Sequence, residues 1–309
     1  MIQMTFQLTD LDKLSMEQIG AILACSASLE TGSVDCSSWM KGRILCPLFL
    51  QDSSRTYLNS STSFMRMGGL VVPLNVANTR LGSAWSEPIR DFCTLINACC
   101  DLVILRVPAA SMLTEFSQWL NVPLINAGNG IGAGSEHPMQ ALIDLYVIRS
   151  LVKPEKVRVL MIGGVHVRTT RSQAKLFHRA GFDLDVIAPP TPTANDDMQE
   201  FYAQHTTAHA DVRNLDLSKF DVIYHNGMDE DETVLTNERY NLNTTILRAG
   251  GFRGKVMHSL PRLKELDHDV DDTDYNLYYS QMQKSRYVFQ SVFQFLCRDV
   301  NQGGTLALQ

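Results

Sequence analysis

The stretch ILCPLFLQDSSRTYLNSSTSFMRMGG, residues 44–69, decides the fold class of this chain. Its apolar beginning (44–50) is typical of a buried strand, and a helical pattern over roughly 56–67 follows a short turn. Strand, turn and helix in this order form the repeating unit of open, mostly parallel α/β sheets, which bind ligands at the carboxyl ends of their strands. The turn that falls at this edge contains Ser53, Ser54, Arg55 and Thr56.

The same alternation of strand and helix patterns runs through the rest of the chain. Further strands are predicted at 70–76, 101–107, 122–128, 157–163, 182–190, 220–226 and 254–261. The pattern restarts near residue 150, and a last helix is predicted at roughly 284–298. The sequence therefore predicts an α/β protein of two doubly wound domains with mostly parallel sheets.

Composition excludes several classes of protein. With 27 Lys+Arg against 33 Asp+Glu, the net charge of −6 offers no basic surface for nucleic acid. The apolar runs are too short to span a membrane, and the first residues do not resemble a signal peptide. Seven cysteines without a C-x-x-C pattern argue against a disulfide framework and a zinc site. We therefore expect a cytoplasmic protein with no metal and no cofactor.

The turn at 53–56 has two interpretations. A helix N-terminus presents free backbone N–H groups and a positive dipole end, and hydroxyls and a guanidinium add donors suited to phosphate. Alternatively, Ser53 or Ser54 only caps the helix. This segment alone does not decide between a phosphate site and a cap.

Two further segments place polar residues at the same predicted edge. Arg106 ends an apolar strand, where it can either reach a ligand or form a surface ion pair. His137 and Gln140 follow a glycine-rich loop and lie on one face of a predicted helix, being three residues apart. An imidazole can polarise a carbonyl and an amide can recognise an NH₂ group, although a capping histidine is the plainer interpretation.

The second half of the chain offers candidates for a different ligand. The segment GGVHVRTTRS (163–172) follows a strand but lacks G-x-G-x-x-G, and no acid ends the next strand, which excludes NAD. Arg168 and Arg171 in this segment are candidates for binding a carboxylate. In HSLPR (258–262), a turn at Ser259 and Leu260 can expose backbone carbonyls, especially if the Leu260–Pro261 bond is cis.

Taken in order, SSRT, the strand-ending arginine, HPMQALIDLY and HSLPR resemble the aspartate/ornithine carbamoyltransferase family, with the aspartate branch more similar. The resemblance implies a carbamoyl-phosphate-binding domain at 1–147, joined by a C-terminal helix at about 285–309 that crosses back to it. The amino-acid-binding domain would then cover 148–284. It also implies a homotrimer with active sites shared between subunits.

The resemblance implies a role for each matching residue. Ser53, Ser54, Arg55, Thr56 and Arg106 would bind the phosphate. Thr56, Arg106 and His137 would polarise the carbamoyl oxygen. Gln140 and the carbonyls of Ser259 and Leu260 would hold the carbamoyl NH₂, and Arg168 would bind the carboxylate of the amino acid.

Departures from the family concern the amino-acid site. The loop TRLGSAWSEP (79–88) has no lysine and places Trp85 or Ser86 near the expected one. Gly227 and Asp229 stand where aspartate enzymes have an arginine and a glutamine, and added acids repel a second carboxylate. We therefore expect a small amino-acid acceptor other than aspartate. The alternatives are an aspartate enzyme with an unusual pocket, or a catalytically silent relative with a regulatory or scaffolding role.

Overall fold

The computed structural model describes residues 6–75, 79, 81, 87–152, 156–189, 197–227 and 237–299. The chain divides into two compact units. The first contains residues 1–131, 135–142 and 284–309, and the second contains 132–134 and 143–283. In the described part of the chain, no helix combines the length and apolarity needed to cross a membrane.

The first unit is built on a six-stranded parallel sheet with the order β1-β6-β5-β2-β3, in which β4 also pairs with β2. Its strands are β1 (Gln7–Leu8), β2 (Ile44–Phe49), β3 (Leu70–Val71), β4 (Leu74–Asn75), β5 (Leu102–Val107) and β6 (Leu124–Asn129). Its helices are α1 (Met16–Glu30), α2 (Ser54–Arg66), α3 (Ile89–Cys99), α4 (Ala110–Trp119) and the beginning of α5 (Pro138–Leu151). Strand and helix alternate as predicted.

One predicted strand, 70–76, is wrong in detail, because it is split into β3 and β4. The interruption at Val72 and Pro73 lies opposite Cys46 and Pro47 of β2, between the pairs Leu45–Val71 and Leu48–Leu74. A proline has no N–H to give to a sheet, so the ladder between these strands cannot continue there.

The second unit contains a five-stranded parallel sheet with the order β11-β10-β7-β8-β9. Its strands are β7 (Arg158–Ile162), β8 (Asp183–Ile187), β9 (Thr206–His209), β10 (Val222–His225) and β11 (Lys255–His258). The helices α6 (Arg168–Arg179), α7 (Gln199–His205), α8 (Thr244–Ala249) and the beginning of α9 (Tyr278–Asp299) complete it. Its core is a cluster of buried apolar side chains that includes Ile223, Leu242 and Leu266.

The C-terminal helix returns to the first unit, as predicted, from Lys284 onward. There the Phe293 ring packs edge-on against Phe64 with centroids 5.2 Å apart, and Ser291 Oγ lies 3.0 Å from Ser26 Oγ of α1. The helix begins at Tyr278, earlier than the predicted residue 284, because its first residues pack within the second unit.

Candidate active site

The start of α2 lies at the carboxyl edge of the first sheet. Ser53 occupies the N-cap position in an extended conformation, but its side chain makes no capping hydrogen bond. The Ser53 hydroxyl therefore does not cap α2, which was the alternative to a phosphate-binding role for this residue. Arg55 is half-buried, and burial lowers the pKa of its guanidinium. Ser54 is exposed and Thr56 is half-buried, so their hydroxyls can be reached from solvent at the carboxyl edge of the sheet.

Arg106 comes to the same edge from the neighbouring strand β5. It pairs in register with Phe49 of β2, and its carbonyl accepts a hydrogen bond from Leu50 N–H at 2.8 Å. Its guanidinium donates through Nη1 to the Ala127 carbonyl of β6 at 3.0 Å. This bond fixes the arginine across the ends of adjacent strands, close to the residues that lead into α2.

His137 stands directly before α5, which follows β6. Its side chain is buried, with 5% of its surface exposed. The Gln140 N–H points to His137 Nδ1 at 3.4 Å. An Nδ1 that accepts a hydrogen bond leaves the proton of a neutral imidazole on Nε2, which is then a donor. The Gln140 side chain is half-buried one helical turn further on.

Three polar residues that sequence reasoning missed fix the loop before His137. Asn129 Oδ1 accepts from Glu136 N–H at 2.6 Å, and Asn126 Nδ2 donates to the Glu136 carbonyl at 3.3 Å. The Glu136 carboxylate accepts from Leu11 N–H at 3.2 Å. The available signal was two asparagines inside the otherwise apolar stretch LINAGN, where a buried amide needs hydrogen-bond partners.

The second unit holds Arg168 at the first position of α6, at the carboxyl edge of its own sheet. Arg168 is half-buried, and burial lowers the pKa of its guanidinium. Arg171, the other candidate in this segment, is fully buried and ion-paired with Asp197. Of these two arginines, Arg168 is therefore the one with exposed surface to offer a ligand.

The turn at Ser259 and Leu260 follows β11, and the Leu260–Pro261 bond is cis. Leu260 N–H donates to His258 Nδ1 at 2.8 Å, and His258 Nε2 lies 3.0 Å from the Glu265 carboxylate. Glu265 also accepts from Leu263 N–H at 2.9 Å. Burial opposes the charge on Glu265, but these hydrogen bonds prevail and hold its pKa down at about 2. The buried pair of His258 and Glu265 thus accepts hydrogen bonds from the backbone at both ends of the turn. The sequence alone did not predict this role.

Two predicted site residues, Trp85 and Asp229, lie outside the described residues. Gly227 is described: it follows β10 with a φ of +77°, a conformation that glycine adopts readily, and its N–H donates to His225 Nδ1 at 3.2 Å. The structure therefore places Ser53–Thr56, Arg106, His137 and Gln140 in the first unit and Arg168, Ser259 and Leu260 in the second.

Comparison with known proteins gives matches over nearly the whole chain. Residues 7–150 match the family described as aspartate/ornithine carbamoyltransferase, carbamoyl-P binding domain, and residues 155–296 match its Asp/Orn binding domain. The chloroplastic aspartate carbamoyltransferase 1 of Pisum sativum is 28% identical over 308 residues, which cover 94% of this chain and 79% of the relative.

Solved structures of similar fold include aspartate transcarbamoylase from Trypanosoma cruzi. Its complex with carbamoyl phosphate superposes with a TM-score of 0.82 at 25% identity, covering 95% of this chain and 96% of the other. Its complex with carbamoyl phosphate and aspartate gives a TM-score of 0.81 at 26% identity, with 95% of each chain covered.

Proposed function

Because this chain belongs to the aspartate/ornithine carbamoyltransferase family, we propose that it transfers the carbamoyl group of carbamoyl phosphate to the amine of aspartate. The products are a ureido acid and phosphate. Support for the acceptor comes from the relatives, which are aspartate carbamoyltransferases.

The observation that carries the proposal is the arrangement of donors along β2, β5 and β6. The start of α2, Arg106 and His137 follow or end three adjacent parallel strands, so they meet at one edge of the sheet. Ser53–Thr56 and Arg106 would bind the phosphate of carbamoyl phosphate through hydroxyls, N–H groups and guanidinium forks.

The chemistry that follows needs donors at a developing oxyanion. A neutral amine attacks the carbamoyl carbon, the C–N bond forms, and negative charge grows on the carbamoyl oxygen before the C–O bond to phosphate breaks. Thr56, Arg106 and the Nε2–H of His137 would stabilise that oxygen, and one such donor is generally worth ~3–4 kcal/mol. Gln140 and the carbonyls of Ser259 and Leu260 would orient the NH₂ group, and the phosphate that leaves can take the amine proton.

A second acceptor class is favoured by one observation at the amino-acid site. Gly227 has no side chain where the resemblance to aspartate enzymes predicts an arginine, so the described residues offer no cation at that position for the second carboxylate of aspartate. An acceptor with one carboxylate, bound by Arg168, and a neutral or cationic side chain is therefore the alternative.

An acceptor screen tests both versions. Labelled carbamoyl phosphate is incubated with the enzyme and each member of an amino-acid panel, and the ureido product is separated and counted. Aspartate as the best acceptor supports the proposal, whereas a better neutral or cationic amino acid supports the alternative. Absence of product together with absence of carbamoyl phosphate binding in calorimetry would instead support a silent relative.

Assembly into a homotrimer with shared active sites belongs to the same proposal. Leu58 and Met65, one heptad apart on α2, are 63% and 60% exposed, and Leu70 of β3 is 61% exposed. Large apolar side chains grouped on a protein surface are typical of interfaces. We propose that this surface contacts a second copy of the chain.

A further inference from the structure

Strand β6 contains a bulge at the carboxyl edge of the first sheet. Two steps along β5 correspond to three steps along β6, between the pairs Leu105–Asn126 and Val107–Asn129. Gly128, inside this irregular stretch, has a φ of +111°, a conformation that glycine adopts readily. A bulge places one additional residue in a strand and redirects the side chains around it, and bulges are frequent next to active sites.

The bulge supplies a hydrogen-bond acceptor to Arg106. Arg106 is the β5 residue between the two paired positions, so it lies opposite the bulge. Its Nη1 donates to the carbonyl of Ala127 at 3.0 Å, and Ala127 lies between Asn126 and Gly128. The conformation of the bulge therefore sets the direction of the Arg106 guanidinium.

The side chain of Asn126 holds the bulge in this conformation. Asn126 is fully buried, and its Oδ1 accepts from the Gly128 N–H at 2.8 Å. The ladder between β5 and β6 is irregular at the bulge, and a buried backbone N–H without a partner costs free energy. Asn126 thus satisfies this N–H from within β6 and stabilises the bulge.

The amide nitrogen of the same side chain reaches two other backbone segments. Nδ2 donates to the Glu136 carbonyl at 3.3 Å and to the Thr9 carbonyl at 2.8 Å. Glu136 directly precedes His137, and Thr9 directly follows β1, which pairs with β6. All of these residues belong to the first unit. One buried side chain therefore connects the bulge beside Arg106 with the peptide before His137.

Only a carboxamide can make this set of hydrogen bonds. Asn126 uses its N–H donors toward two carbonyls and its oxygen toward an N–H, so the orientation of its amide is fixed by its neighbours. A carboxylate has no donor, and an aliphatic side chain has neither group. Stabilising the fold alone would be the plain role of a buried asparagine. Here, however, the two segments that it connects carry two different donors of the proposed oxyanion site, Arg106 and His137.

We propose that Asn126 is a positioning residue for carbamoyl transfer. It orients Arg106 and His137 toward one substrate atom, the carbamoyl oxygen, and does not itself contact the substrate. This inference rests on the proposed function. Two donors stabilise one developing oxyanion only if both lie within hydrogen-bond distance of it, so a support that they share fixes their spacing. A displacement of ~1 Å at such a site can lower the rate by ~100-fold.

The test removes the two donors of Asn126 and keeps its acceptor. Asn126→Asp has nearly the same size and shape and can still accept from the Gly128 N–H. The matched control is Asn97→Asp. Asn97 Nδ2 donates to the Trp119 carbonyl at 2.9 Å, and its Oδ1 accepts from the Asn121 N–H at 2.8 Å, so it joins backbone segments in the same way. Asn97 lies near the end of α3, before β5 begins, and so at the opposite, amino edge of the sheet.

Each asparagine variant is also combined with His137→Ala in the full-length protein. Calorimetric titration with carbamoyl phosphate gives the Kd and the fraction of chains with an intact site. The kcat for transfer to the best amino acid of the acceptor screen is expressed per intact site, so that loss of folded protein does not count as loss of catalysis. Asn126→Ser, which keeps one hydroxyl as donor and acceptor, serves where Asn126→Asp yields too little folded protein.

The expected result couples Asn126 to His137. Asn126→Asp lowers kcat by roughly 100-fold and raises the Kd of carbamoyl phosphate by a smaller factor, because the proposed phosphate ligands at 53–56 lie on another turn. In the His137→Ala background both effects are at least about threefold smaller, because the effects of residues that act together are not additive. Asn97→Asp leaves kcat and Kd unchanged in both backgrounds.

Two results would overturn the inference and leave Asn126 with a role in the fold alone: equal effects of Asn126→Asp with and without His137, or a kcat equal to that of Asn97→Asp. The proposed function is judged separately. A wild type that binds carbamoyl phosphate but transfers its carbamoyl group to no acceptor refutes the function, while the Kd values still judge the inference. A wild type that transfers carbamoyl while the effects stay additive refutes the inference alone. A wild type that does not bind carbamoyl phosphate refutes both.

Discussion

At the scale of single residues, Arg55 offers the most direct test of the proposed phosphate site. Its guanidinium is half-buried at the start of α2 and can contact phosphate oxygens through two parallel hydrogen bonds. Hydrogen bonds to charged groups are worth roughly 1.5–3 kcal/mol each, so Arg55→Ala should weaken carbamoyl phosphate binding by at least about a hundredfold. Calorimetric titration with carbamoyl phosphate measures this.

The matched control for that experiment is Arg66→Ala, which removes an exposed arginine from the other end of the same helix. Both variants should keep the circular dichroism spectrum of the wild type. If Arg55→Ala binds carbamoyl phosphate as tightly as Arg66→Ala does, the phosphate is held elsewhere.

Residue types in the candidate site could be predicted from the sequence, but their hydrogen-bond states could not. The SSRT segment, Arg106 and His137-x-x-Gln140 could be singled out because their chemistry is specific to their side chains. That Ser53 makes no capping hydrogen bond depends on its rotamer. That the Asn226 amide has no hydrogen-bond partner among the described residues depends on tertiary packing, which no local pattern encodes.

At the scale of elements, the strands β10 and β11 end in the same way. His225 and His258 are paired in register, and their rings stack with centroids 5.7 Å apart. Each Nδ1 accepts the N–H of the residue two positions later, and each Nε2 contacts an oxygen, of Tyr240 for His225 and of Glu265 for His258. Both turns, which follow β10 and β11, therefore depend on a histidine Nδ1 that carries no proton.

This arrangement predicts a stability that falls in mild acid. Burial, with repulsion from His258 in addition, lowers the pKa of His225 from 6.5 to about 4, despite the attraction of Glu265. The unfolded chain thus takes up the His225 proton first, so the stability is complete above about pH 6.5 and is lost as the pH falls toward 4. His225→Asn should be less stable than the wild type at pH 7 by about 1–2 kcal/mol, because the bond to the Tyr240 carbonyl is lost.

The informative quantity is how the difference in unfolding free energy between His225→Asn and the wild type changes with pH. It should shrink by at least ~1 kcal/mol between pH 7 and pH 4.5, since asparagine does not titrate. Urea unfolding of His225→Asn and of the wild type at several pH values measures this difference. A constant difference between His225→Asn and the wild type would contradict a depressed His225 pKa.

Elements were predicted well where their patterns are local, and less well where tertiary contacts set their limits. The strand β2 and the helix α2 follow directly from apolar runs and turn residues. In contrast, the split between β3 and β4 arises from prolines on both neighbouring strands, and the early start of α9 arises from Gln281, whose amide reaches the buried Asp144. Both effects come from residues distant in sequence.

At the scale of the whole molecule, α5 and α9 each contribute residues to both units. Asp144 of α5 and Gln281 of α9 are joined by a hydrogen bond within the second unit, close to the point where each helix passes from one unit to the other. The sequence pattern restarts near residue 150, whereas α5 passes from one unit to the other between Leu142 and Ile143. The passage in α9 lies close to the contact between Gln281 and Asp144, which are distant in sequence, so sequence periodicity could not predict it.

The proposed trimer with shared active sites predicts that two different inactive variants regain activity when they assemble together. In that arrangement Arg55 of one subunit and Trp85 of its neighbour serve the same site. Arg55→Ala and Trp85→Ala chains carrying different tags are co-expressed, and assemblies bearing both tags are purified. Every trimer bearing both tags contains both variants, so about one site in three combines an intact Arg55 with an intact Trp85, because the contact between subunits runs in one direction around the ring.

Carbamoyl transfer in the doubly tagged assemblies should therefore approach about a third of the wild-type rate, while each variant alone stays far below it. Light scattering should give three times the chain mass of 34.6 kDa. As a control, co-expression of Arg55→Ala with a chain carrying both substitutions cannot form an intact site and should give no recovery. A mixture no more active than its separate variants, or particles with the mass of one chain, would show that each subunit builds its site alone.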